Sequence, residues 1–227
     1  MKINKVLKSI NRTNNFIYLT LALVTLLISA SLIQVLQGHI IAYLLQSIIV
    51  FTFIVCFMSL HCDRKGGHFL LGIVVVWLGA AAIKHALYIN NMDVFMLALI
   101  FVFFFSLFKA LVKQILFSGE IDTNKLVGSM ALFLLLGLMW AIAYLIVLEF
   151  DPTSFSGLQA MAWEENFSNS AYFSFVTLTT LGYGDISPVT PIAKTLVYLE
   201  SIVGIFYMAV VVSSLVSSNF ERRAHKK

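Results

Sequence analysis

Residues 171–185 read Ala-Tyr-Phe-Ser-Phe-Val-Thr-Leu-Thr-Thr-Leu-Gly-Tyr-Gly-Asp, and the fold turns on them. The apolar part, 171–178, is too short to cross a bilayer, which takes about 20 helical residues. A short apolar helix followed by irregular backbone fits a re-entrant element, tolerated at membrane depth only where protein or water surrounds it. Ser168, Asn169 or Ser170 is placed to cap its N-terminus. The loop leading into it is acidic, with Glu149, Asp151, Glu164 and Glu165.

Long apolar runs flank this stretch, at 126–148 before it and about 195–218 after it. Four more lie upstream: 16–36, 39–60, 69–88, and one that begins after Asp93 and passes through the Phe-rich 101–108. The first two come from fifty residues without a formal charge between Arg12 and Asp63, broken by Gly38-His39 with Gln34 and Gln37 beside them. The whole chain of 227 residues is 60% hydrophobic and 11% charged, with a mean hydropathy of +0.93. Ordinary globular domains are about half apolar and about a quarter charged. A water-soluble enzyme, a disordered chain and a collagen are therefore excluded. Unbroken apolar runs, where a membrane β-barrel needs alternation, exclude that class too. The fold expected is an all-α membrane protein with six transmembrane helices and a re-entrant helix between the fifth and sixth.

The basic residues test that count separately, because loops rich in Lys and Arg stay in the cytoplasm. Lys2, Lys5, Lys8 and Arg12 precede the first span, and Arg64 and Lys65 join the second to the third. Lys109, Lys113 and Lys125 join the fourth to the fifth, and Arg222, Arg223, Lys226 and Lys227 come last. Thirteen of the fifteen thus fall on one side when both termini are cytoplasmic, with Lys84 and Lys194 on the other. The expected division is a basic N-terminus at 1–15, a four-helix transmembrane domain at 16–117, a second membrane unit at 118–220 and a basic tail at 221–227. Ser29-Ala30-Ser31 also permits a cleaved leader, although the apolar run continues past it at full spanning length. Cys56 and Cys62 suggest reduced thiols.

Thr180-Leu181-Gly182-Tyr183-Gly184-Asp185 resembles the selectivity filter of the potassium channel family, whose pattern is T-x-G-Y-G, commonly followed by Asp. The match sits between two spans and behind a short helix, as that family requires, and the likeness covers about 126–220. Alternate left-handed residues are needed to turn every carbonyl of such a strand inward, and glycine takes that conformation at little steric cost. Gly182 and Gly184 have the spacing for it. The resemblance implies carbonyl rings from Thr180, Leu181, Gly182, Tyr183 and Gly184 around dehydrated K⁺, with Tyr183 bracing the filter and Asp185 at the outer mouth. It implies a homotetramer in a cell membrane, with K⁺ as the permeant ion, no turnover cofactor and no nucleic-acid partner. A weakly selective cation channel and a six-span cation transporter are the alternatives, and an enzyme is not expected.

On the last span, Gly204 lies twenty residues beyond Gly184, where the family often has a hinge. Close packing against a neighbouring helix is the other reading. Ile205, Met208, Val212 and Val216 follow helical spacing and are candidates to line the pore. Glu200, an acid inside a span, lies about 140° around the helix from Ile205 and is expected to brace the filter from behind. From Val94 to Phe108 no basic residue occurs, so little intrinsic voltage dependence is expected. His61, Cys62 and His68 do not have zinc-site spacing. Lys84-His85 is expected to snorkel at the outer interface, and Trp77, Trp140 and Trp163 to pack or anchor. The short tail suggests no cytoplasmic gating domain.

Overall fold

Seven helices and one two-residue β-ladder make up the computed structural model, which describes residues 15–33, 40–59, 64–87, 92–116, 123–159 and 161–213. The helices are α1 (Asn15–Ile33), α2 (Ile40–Ser59), α3 (Arg64–Leu87), α4 (Asp93–Leu116), α5 (Thr123–Phe150), α6 (Trp163–Leu178) and α7 (Pro191–Phe206). A π-helical turn, Tyr207–Val212, continues α7. Strands β1 (Phe155–Ser156) and β2 (Ser187–Pro188) pair antiparallel on either side of α6 in the chain.

Among the described residues, five helical stretches are long and apolar enough to cross a membrane: Asn15–Ile33, Gly66–Lys84, Asp93–Ile115, Asn124–Phe150 and Pro191–Val210. The chain is a multi-pass, all-α membrane protein. The apolar stretch in α2, Tyr43–Ser59, is shorter. At 28 residues, α5 is about 42 Å long and forms the central post.

One face of α4 supplies Met96, Leu97, Ile100, Phe103, Leu107 and Leu111, all fully buried, at spacings of three and four. They join Ala131, Leu135, Leu138 and Ile142 of α5 in the main core. Phe53 of α2 packs on Phe103 with ring centroids 4.0 Å apart and meets Trp77 of α3 edge-on at 6.0 Å. Trp77 and Trp163 are both core residues.

A polar knot fastens three helices at one end of the bundle. Asn15 donates through Nδ2 to the Ser59 carbonyl at 3.2 Å, and Asn124 of α5 donates to Asn15 Oδ1 at 2.9 Å. The Ser59 hydroxyl returns a hydrogen bond to the Asn15 carbonyl. All three side chains are buried, where an unpaired amide is costly, so the knot fixes how α1, α2 and α5 meet.

Two expectations are corrected here. The short helix does not begin at 168–170: α6 starts at Trp163, because Trp163, Phe167 and Ala171 form one buried face that extends the apolar segment backwards. Ser168 and Ser170 are interior positions of that helix. Lys84 does not snorkel outward, because two carboxylates, Asp93 and Glu164, hold it inside.

Candidate functional site

The C-terminus of α6 feeds directly into 179–185, and its last carbonyls hold the chain that follows. Thr179 N–H donates to Phe175 O at 3.0 Å and Thr180 N–H to Thr177 O at 2.9 Å. Leu181 and Gly182 N–H both donate to Val176 O, at 2.9 and 3.3 Å. The backbone is therefore fixed on the helix end before it turns outward.

Thr180, Gly182 and Gly184 have φ of 60°, 59° and 83°, so every second residue is left-handed. A Cβ on either glycine would meet no atom within 4 Å. Their requirement is conformational, not spatial. Thr180 is the non-glycine residue in this region of φ, which costs roughly 1–2 kcal/mol for an L-residue. Leu181 and Tyr183 stand clear of their own chain, Tyr183 at 67% exposure.

The outer end of the stretch is held by two contacts that sequence reasoning missed. Tyr172 of α6 donates to Asp185 Oδ2 at 2.8 Å, and the Asp185 carboxylate in turn holds the Tyr172 phenol above its ordinary pKa. The ladder Phe155↔Pro188 and Ser156↔Ser187, with Val189 N–H to Ser154 O at 2.8 Å, ties the loop before α6 to the chain that follows Asp185. Phe155 locks that ladder inward against Tyr144 and Phe173, at ring centroids of 5.3 and 5.7 Å. Nearby, the Thr153 hydroxyl and amide hold the Asp151 carboxyl below its usual range.

Behind residues 180–184, Glu200 of α7 is fully buried. It lies 2.6 Å from the Ser174 hydroxyl of α6 through Oε1, and Oε2 accepts from the Tyr144 hydroxyl of α5. Ser174 also reaches the Gly137 carbonyl of α5 at 2.7 Å. Glu200 thus joins three helices at one point. A serine and a tyrosine on the flanking helices were not legible as its partners, since nothing in their spacing marks them.

The structure brings Gly204 against the end of α6. A Cβ there would collide with the Leu178 carbonyl and come within 3.0 Å of its carbon. Ile205 and Met208 lie on the uncovered side of the helix, 57% and 54% exposed. The side chain of Val212, and all of Val216, lie outside the described residues, as do His61 and Cys62. Three residues past Gly204, Tyr207 donates its hydroxyl to the Ser129 carbonyl of α5, where the π-helical turn begins.

Comparison with known proteins bears on this same region. The family described as "Ion channel" matches residues 130–221. The inward rectifier potassium channel Kirbac3.1 of Paramagnetospirillum magnetotacticum is 33% identical over 91 residues, which is 40% of this chain and 28% of that one. Two pore potassium channel c of Oryza sativa subsp. japonica is 36% identical over 58 residues, 26% of this chain and 13% of that one. Residues 130–221 are therefore similar to an ion-channel family, and part of the chain is similar to known potassium channels. The chain covers less than a third of the length of either relative, and no solved structure matches it significantly. Helices α1–α4 lie outside the family match at 130–221.

Proposed function

We propose that this chain is one subunit of a K⁺-selective channel that passes the ion passively through a fourfold pore. The observation that carries the reading is the alternation of left-handed residues at Thr180, Gly182 and Gly184 within Thr-Leu-Gly-Tyr-Gly. That alternation turns successive carbonyls to one side, where a ring of four copies can replace the hydration shell of K⁺. One chain supplies one such loop, so a cage needs three more. The α6 C-terminus carries about half a negative elementary charge and favours a cation beneath the filter.

The bare faces of the molecule support the assembly. α7 is buried only at Ala193, Glu200 and Gly204, whereas Ile192, Tyr198, Ile202 and Phe206 are exposed. Neighbouring subunits would cover part of that surface, and Ile205, Met208, Val212 and Val216 would line the pore. In this reading α2 is the sixth span, α6 is re-entrant, and both termini are cytoplasmic. Glu200 braces the filter through Ser174. The inner helix bends at the π-helical turn, not at Gly204, because Gly204 is wedged on Leu178. α4 carries Lys109 and Lys113 only near its end, with Lys109 Nζ 5.7 Å from the Phe105 ring centre, so voltage moves little charge.

Purified protein in liposomes with a K⁺ gradient tests this. Rapid K⁺ flux that excludes Na⁺, is blocked by Ba²⁺ and is lost in Gly182→Ala is the expected result. Equal Na⁺ flux would make it a weakly selective pore, and slow saturable exchange a transporter.

A further inference from the structure

The four helices outside the channel match meet α6 through polar side chains at one place, its N-terminal half. Ser31 of α1 and Ser168 of α6 pair through their hydroxyls at 3.0 Å. Gln46 of α2 donates to Glu164 Oε1 at 3.0 Å. Lys84 of α3 lies 3.3 Å from the same Glu164 oxygen and pairs with Asp93, the first residue of α4. Every helix of the peripheral domain therefore contributes to a polar tie on one turn of α6, directly or through Lys84. α7 instead packs on α5, α6 and β2.

Two physical points give this tie consequence. The Glu164 side chain is 2% exposed, so its partners Lys84 and Gln46 hold it in one place; a buried carboxylate stripped of its cation is strongly destabilised. The helix from Trp163 to Leu178 is an unbroken rod of 16 residues, about 24 Å long. The rod joins Glu164 to the last turn of α6, where the Leu178 carbonyl rests on Gly204 and the Val176 carbonyl accepts from Leu181 and Gly182.

We propose that Lys84 is a positioning residue for the filter: its ion pair with Glu164 lets α1–α4 set the seat of α6, so that the peripheral domain acts on conduction at the filter and not at the inner helix. This rests on the reading that 180–184 conducts K⁺.

The test uses the full chain in liposomes, comparing K⁺ and Na⁺ flux for wild type, Lys84→Met, Glu164→Gln, Lys84→Arg and Phe53→Ala. Phe53 packs on Trp77, Phe103 and Phe104 of α3 and α4, and its loss weakens packing without removing a member of the tie. Lys84→Met and Glu164→Gln are each expected to lower K⁺ over Na⁺ selectivity by about tenfold or more. Lys84→Arg keeps the charge and should keep selectivity, and Phe53→Ala should lower thermal stability alone. Wild type without selective K⁺ flux would sink the functional reading itself. A selective wild type with unchanged Lys84→Met and Glu164→Gln overturns the positioning role. So does a Phe53→Ala variant that loses selectivity as much as Lys84→Met, because general weakening would then explain the effect.

Discussion

Replacing Glu200 distinguishes a hydrogen-bonding role from a charge role. Ser174 has one hydroxyl proton and two acceptors in reach, Gly137 O at 2.7 Å and Glu200 Oε1 at 2.6 Å. Both contacts are satisfied together only when Glu200 itself carries a proton and donates it to Ser174. Tyr144 then donates to the other carboxyl oxygen. Glu200→Gln reproduces this pattern, its amide donating to Ser174 and accepting from Tyr144, and should cost less than about 1 kcal/mol. Glu200→Ala leaves the buried Tyr144 hydroxyl unpaired, at about 1–3 kcal/mol, and loses two buried carbons with the cavity they leave, at about 1–2 kcal/mol more. A loss of about 3 kcal/mol per chain should lower the melting temperature by about 6 °C or more. The measurement is thermal unfolding of the purified assembly, with K⁺ flux in liposomes alongside. Equal damage from glutamine and alanine would mean that the negative charge is what matters, and an unperturbed alanine variant would mean that the contact is idle. Either result refutes the reasoning.

Gly204→Ala should destabilise the junction of α6 and α7 by at least about 2 kcal/mol, because the new methyl meets backbone that cannot rotate away; melting and flux measurements read this. Gly182→Ala adds a left-handed penalty of roughly 1–2 kcal/mol in every subunit and should abolish selective K⁺ flux while the assembly persists on size exclusion. Tyr172→Phe removes the hydrogen bond to Asp185 and should shorten the conducting lifetime in single-channel records. Burial pushes the Glu164 carboxyl above its ordinary pKa although Lys84 opposes this, with Asp93 adding to the rise. The folded chain therefore takes up that proton more readily than the unfolded chain. Any stability from this site is present at low pH and fades as pH rises through the raised value. Acidification should neutralise Glu164 and imitate Glu164→Gln in selectivity, and that variant should itself be insensitive to the same change.

The left-handed alternation at 180–184 was legible because its signals are local. Two glycines at alternate positions, a short apolar stretch before them and long apolar runs on both sides are read without any tertiary information. The start of α6 was misplaced because amphipathic helices continue through polar residues such as Ser168 and Asn169, which look like caps when read alone. The inward turn of Lys84 was not legible, since its partners are 9 and 80 residues away. Ser174 and Tyr144 were equally silent beside Glu200: their hydroxyls become partners only when three helices converge.

The bareness of α7 has a consequence for mixed populations. In the proposed fourfold assembly, that bare helix is covered by whatever copy is nearby. If wild-type and Gly182→Ala chains are made in equal amounts and join at random, only about one assembly in sixteen is free of the altered chain. A heterozygous cell would then lose far more current than the half its gene dosage suggests.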